Sequence, residues 1–270
     1  MVNYQTLLLL KNWFLEYSRS FSSPDPEKQK CLDLKEKHTF RVCGTIKEIA
    51  ASLELSWTDI NIAETIALFH DLGRFEQFTQ YGTFLDSKSV NHAELAVKII
   101  EKEGILGDLH EETLNTILYA ILNHNIAELS DDCSDRQLLF AKMIRDADKL
   151  DIYNFSTEYF TKKTFADDDP VILGVKDVPV ITEGILEDLK GKSIVRKKNL
   201  LHSLNDFKLL QVSWVYDLNF SKSFEIIKDK KYIEKIFMTL PPTEEMSGIS
   251  DMIHAHIDEH ISSFATVSCD

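Results

Sequence analysis

Apolar and polar positions alternate along this chain as one helix after another. Residues 3–20 carry apolar side chains at helical spacing, and Pro24 and Pro26 break that run. Pro26 suits the first turn of a second helix, predicted over about Glu27–Leu53. Ser56 followed by Asp59 has the form of a capping box, opening a helix through Ala67–Phe69 that Gly73 is expected to end. Arg74–Val90 lacks helical periodicity and contains Gly82, so it reads as a loop long enough to be functional. Asn91 can cap a helix ending near Gly104, and another helix runs toward His124. Ser134 with Gln137 again forms a capping box, for a helix through Asp148. Residues 166–180, with Asp167, Asp168, Asp169 and Pro170, form a break in which Val171–Leu173 could contribute a small hairpin. Beyond residue 181 the helical pattern resumes.

These elements predict an all-α protein: a helical bundle over residues 1–162, and a mostly helical C-terminal extension over 163–270 packed on the same domain. There is no internal repeat and no low-complexity linker. Composition fits a globular chain, with 270 residues, 44% hydrophobic and 27% charged. The formal net charge of -14 opposes broad binding of nucleic-acid backbones. A phosphate-bearing partner would need a local positive centre, and bound metal ions are the obvious source. Cys31, Cys43, Cys133 and Cys269 are scattered without a C-x-x-C pair, which disfavours a disulfide framework or zinc ribbon and points to the cytoplasm. The apolar run Leu7–Leu10 is too short for a membrane span and lacks the flanks of a signal peptide. Neither is expected.

The candidate chemistry lies in the histidines. His70-Asp71 follows an apolar helix, in Ala67-Leu68-Phe69-His70-Asp71-Leu72-Gly73-Arg74. An apolar approach aims polar groups inward, where they need partners, and a metal satisfies both imidazole and carboxylate. Taken alone the dipeptide says little. His38 lies on the preceding helix, and Asp148 lies late on a following one, in Arg145-Asp146-Ala147-Asp148-Lys149-Leu150-Asp151.

His38, His70-Asp71 and Asp148 match in identity, order and helical setting the pattern of the HD-domain superfamily of metal-dependent phosphohydrolases. The resemblance covers about residues 30–155. His92 opens one helix and His124 closes another, at the two places where binuclear members carry further histidines. The resemblance thus implies two divalent transition-metal ions (manganese, iron, cobalt, nickel or zinc) with Asp71 bridging. His38, His70, Asp71 and Asp148 would hold one ion; Asp71, His92 and His124 would hold the other. It also selects Asp148 over Asp146 and Asp151. Asp146 is expected to be exposed or hydrogen-bonded, and Asp151 could orient a ligand from behind. Arg74 stands where many members carry a phosphate-binding cation, and guanidinium suits phosphate; a surface arginine at a helix end is the competing reading. For Arg145 and Lys149 a solvated helix face is the better reading.

Other features carry less. His254-x-His256-x-x-x-His260 places His256 and His260 on one helix face. A polar face interrupted by acids is its simpler explanation. Trp214, Tyr216 and Phe220 read as core, and His110 and His202 carry no signal. No glycine-rich phosphate loop or Gly-x-Ser-x-Gly elbow is present. His124 is followed by Asn125-Ile126-Ala127, without the Gly-Tyr-Pro continuation of the HD enzymes that degrade cyclic di-GMP. The expected activity is hydrolysis of a phosphate ester or anhydride in a small molecule, a nucleotide first, with catalytic roles for Asp71 and Arg74. Two alternatives use the same ligands: a di-iron oxygenase and a non-catalytic metal-binding module.

Overall fold

A computed structural model of the chain describes residues 2–161, 175–195 and 201–265. The described residues contain helices and no strand, so the all-α expectation holds. The chain divides into two compact units, Met1–Asp151 and Ile152–Asp270.

The first unit contains α1 (Tyr4–Ser20), α2 (Pro26–Ser52), α3 (Trp57–Phe69), α4 (Gly73–Tyr81), α5 (His92–Glu103), α6 (Glu111–Asn123) and the first part of α7 (Asp135–Tyr159). Local chemistry sets the boundaries. Asp25 caps α2 through the Glu27 amide, with Pro26 in its first turn. Ser56 accepts from the Asp59 amide at the start of α3, and Asn91 from the Ala93 and Glu94 amides at the start of α5. Ser134 and Gln137 exchange hydrogen bonds at the start of α7, a reciprocal capping box.

α3 is the central helix. Every residue from Ile62 to Phe69 is buried, which requires neighbours on all sides. α2 packs along it most extensively, with α1 and α6 against its other faces. Phe14 of α1 meets Phe40 and Phe75 edge to face at centroid distances of 5.7 and 5.8 Å. Buried Glu64 on α3 holds Lys11 of α1 at 2.6 Å and Lys47 of α2 at 3.2 Å. A carboxylate in that position requires such pairing to offset its lost hydration.

The structure corrects the reading of Arg74–Val90 as a loop. Gly73 opens α4 rather than ending α3, and a 3-10 turn follows at Asp86–Lys88. The backbone stays right-handed helical through His70 and Leu72. α4 buries two aromatic positions, Phe75 and Phe78, too few to reveal a period. Its true terminator is Gly82, left-handed at φ 65°. Gly73 serves packing instead: a Cβ there would lie 2.3 Å from the His92 carbonyl oxygen and 2.9 Å from the Ala96 nitrogen. Only a glycine lets α4 lie this close to α5.

The second unit contains the end of α7, then α8 (Glu183–Lys190), α9 (Leu204–Ser213), a 3-10 turn at Trp214–Asp217, α10 (Ser221–Lys230), α11 (Tyr232–Phe237) and α12 (Glu244–Ala265). Asp206 organises its entry: it completes a capping box with Ser203 and accepts from the amides of Thr182 and His202. Tyr153 is fully buried and donates to the Gln211 carbonyl at 2.6 Å. Trp214 and Tyr216 are only half-buried on the 3-10 turn, while Phe220 is buried. The hairpin expected at Val171–Leu173 lies outside the described residues.

Candidate metal centre

Five elements of the first unit meet at one buried point. His38 comes from α2, His70 and Asp71 from the end of α3, His92 from the first turn of α5, His124 from the end of α6 and Asp148 from α7. The four imidazoles and Asp71 are buried, and the Asp148 side chain is partly so. Helix ends supply most of these groups because a terminus can aim a side chain into the bundle. The short α4 and its close approach to α5 fold His92 back toward Asp71.

The two oxygens of Asp71 face different partners. Oδ2 lies 3.5 Å from His38 Nε2 and 3.7 Å from His70 Nε2. Oδ1 lies 3.3 Å from His92 Nε2 and 3.8 Å from His124 Nε2. Asp148 Oδ1 closes the first group, 3.2 Å from His38 Nε2 and 3.8 Å from His70 Nε2. His124 also falls within ligating reach of His70 and Asp148, so the two groups share an edge.

Each imidazole is held from behind through Nδ1. His38 Nδ1 meets Asp151 Oδ2 at 2.7 Å, and His92 Nδ1 meets Asp86 Oδ2 at 2.7 Å. His70 Nδ1 meets the Ala67 carbonyl at 2.8 Å, and His124 Nδ1 the Ile121 carbonyl at 2.7 Å. In a neutral ring these acceptors place the proton on Nδ1, so every Nε2 presents a lone pair to the centre. The Nε2 atoms of His38 and His70 are buried without a hydrogen bond of acceptable geometry. Those of His92 and His124 face each other at 3.0 Å. Two lone pairs at that distance repel unless a cation lies between or beside them. This donor set therefore fits divalent transition-metal ions, with each ring oriented as metal-ligating histidines usually are.

Charges around the cluster confirm its polarity. Burial opposes ionisation of Asp71, but Lys35, His70, Arg74 and His92 hold its carboxyl well below the usual range. Burial likewise opposes ionisation of Asp148, but His38 and His70 beside it hold its carboxyl well below the usual range. Burial and then Arg74 push His92 down; burial with His92 and His70 beside it pushes His124 down to about 3. Both are neutral at pH 7, as ligands must be. His38 moves upward: burial and Lys35 oppose protonation, but Asp148 and Asp151 outweigh them.

Several neighbours escaped the sequence reading. Lys35 lies one turn before His38 and reaches Asp71 Oδ2 at 2.7 Å. Arg41 lies one turn after it and grips Asp151 through Nε at 2.6 Å and Nη2 at 2.9 Å. Their i-3 and i+3 spacing from His38 was the available signal. Asp86 accepts from His92, Arg74, Gln77 and Asn125, and its carboxyl is held low by these groups against burial. Arg74 lies 3.3 Å from Asp71 Oδ1, while its Nη1 donates to Gln77, Asp86 and the Phe84 carbonyl. One expectation for α7 is corrected. Arg145 is buried rather than solvated, donating to the Ile126 carbonyl and, at 3.5 Å, to that of His124. Of the two readings of Asp146, exposure is excluded, since the residue is fully buried. α7 is enclosed on more sides than its mixed sequence suggests. His110 and His202 are exposed and belong to none of the candidate ligand groups among the described residues.

The family model described as HD domain matches residues 36–153. Comparisons with curated proteins and with solved structures gave no significant match. The matched segment contains all six histidine and aspartate positions of the cluster. No helix among the described residues is long and apolar enough to cross a membrane. Residues 36–153 thus match the HD-domain family model, and within them lies a buried His/Asp cluster compatible with an HD-type metal site.

Proposed function

We propose that the first unit hydrolyses a phosphate ester or anhydride of a small molecule, a nucleotide first, using two divalent ions bridged by Asp71. The carrying observation is that all four imidazoles are anchored at Nδ1 and turn Nε2 toward Asp71 and Asp148. His38, His70 and Asp148 would hold one ion, and His92 and His124 the other. When bound, such ions supply Lewis-acid activation of the phosphoryl group and a nucleophile from water near neutral pH.

The chain's own residues account for orientation and charge. Asp151 and Asp86 fix the tautomers and planes of His38 and His92. Lys35 and Arg74 both contact Asp71 and are partly exposed, at 18% and 16% of their side chains. In a chain of net charge -14 they form a local cationic rim on which an anionic substrate can be held. Lys35, now paired with Asp71 at 2.7 Å, would turn to the phosphate of a bound substrate. Arg74 already spends Nη1 on Asp86, Gln77 and Phe84, so it both braces the second ligand group and faces the substrate side. This cationic rim suits an anionic, phosphate-bearing substrate.

The test is a phosphate-release screen across nucleotides and phosphate esters under anaerobic conditions, with manganese, cobalt, nickel or zinc supplied. Release of phosphate or nucleotide without oxygen is the expected result. Turnover that appears only with iron and consumes oxygen would overturn the assignment in favour of a di-iron oxygenase.

A further inference from the structure

The second unit holds another group of candidate ligands, on α12. His256, Glu259 and His260 each offer one ligand atom, and the three atoms lie within 4.8 Å of one another. The i, i+4 spacing sets the two imidazoles side by side, with ring centroids 4.1 Å apart. His254 takes no part: it bonds the Ser250 carbonyl and pairs with Glu234 at 3.4 Å.

His260 is held much as the rings of the first unit are: its Nδ1 lies 2.8 Å from the His256 carbonyl oxygen. In a neutral ring that bond fixes the proton on Nδ1 and leaves Nε2 with its lone pair. Aromatic rings set the planes from outside: Tyr216 meets His256 at 4.9 Å, and Phe224 stacks on His260 at 4.8 Å. We propose that His256, Glu259 and His260 form a separate metal site, for a divalent ion of borderline softness such as zinc.

Two imidazoles and one carboxylate match the ligand preferences of zinc, nickel or copper(II) and suit magnesium poorly. Glu259 is exposed and supplies the negative charge. The site lies wholly within the second unit, on α12.

Equilibrium dialysis of the full chain against zinc, with and without excess magnesium, tests this. The Asp71→Ala chain serves as background, so that the first unit's ligands do not dominate the count. His260→Gln and Glu259→Gln are the informative variants; His260 stacks on Phe224, so circular dichroism verifies that both fold. One magnesium-resistant zinc per chain should bind in the background protein. His260→Gln should weaken it by about 100-fold and Glu259→Gln by about tenfold. A proton NMR titration should move the ring resonances of His256 and His260 together. Equal zinc binding in the background and both variants, or unmoved ring resonances, would overturn the site and leave the pair as aromatic packing.

Discussion

Replacing Gly73 by alanine tests how the second ligand group is assembled without replacing any candidate ligand. The added Cβ would sit 2.3 Å from the His92 carbonyl oxygen and 2.9 Å from the Ala96 nitrogen, whereas real Cβ contacts stay at or above 3.0 Å. The backbone at the start of α5 must then retreat by about 0.7 Å. Both obstructing atoms are backbone, so no side-chain rotation relieves the clash. Overpacking of this kind costs about 1–3 kcal/mol. For a unit of this size that lowers the melting temperature by roughly 2–4 °C per kcal/mol. The consequence for chemistry is directional. His92 sits in the displaced turn and its Nε2 is 3.3 Å from Asp71 Oδ1, whereas His38, His70 and Asp148 lie on other elements. Gly73→Ala should therefore weaken the second metal by about 10–100-fold, the scale of disturbed ligand orientation, while the first stays in place. Thermal melts and metal analysis by mass spectrometry measure the two effects. Unchanged melting and unchanged metal content would refute the close-packing argument. Equal loss of both ions would refute the division of the ligands between helices.

Asp151→Ala removes the acceptor behind His38 and leaves Arg41 unpaired, so metal affinity should fall by about 10–100-fold, read by competition with a chromophoric chelator. Arg74→Ala should cost about 1.5–3 kcal/mol in catalytic efficiency, the scale of a charge-assisted hydrogen bond, while most metal is retained; unchanged efficiency would make Arg74 only a brace for Asp86. The metal-free protein should lose stability on acidification. His124 titrates near 6.5 in the unfolded chain and at about 3 when folded, so the unfolded state binds more protons across that window and is favoured as pH falls through it. His92, also lowered, acts in the same direction, and raised His38 partly opposes them. The depressed carboxyls of Asp71 and Asp148 add a further loss below about pH 4, where they would protonate in the unfolded chain. Chemical denaturation of chelator-treated protein from pH 8 to 4 measures the trend, and a rising midpoint toward acid would contradict it.

The helices of the first unit were legible because their starts carry local chemistry. Ser56, Asn91 and Ser134 each announce a helix by a cap that needs no tertiary information. α4 was not legible, since two buried aromatics make no period and Gly73 mimics a terminator. Only the proximity of His92 and Ala96 explains that glycine. The six cluster residues could be named only jointly, through their match in identity and order to the HD pattern. The groups behind them could not. Asp86 belongs to a turn with no sequence signature, and Arg145 reads as surface until the Ile126 carbonyl is seen beside it. Lys35 and Arg41 were within reach of the i±3 rule about His38, but charge on a helix is ordinarily solvated.

Metal content of the wild-type chain and of Asp71→Ala tests the central claim most directly. With Oδ2 turned toward His38 and His70 and Oδ1 toward His92 and His124, one carboxylate serves both ligand groups. The wild-type first unit should take up two transition-metal ions, and Asp71→Ala should lose most of both, with His110→Ala unchanged as a control. Retention of full metal content by a folded Asp71→Ala protein would contradict the bridging role and, with it, the two-metal account.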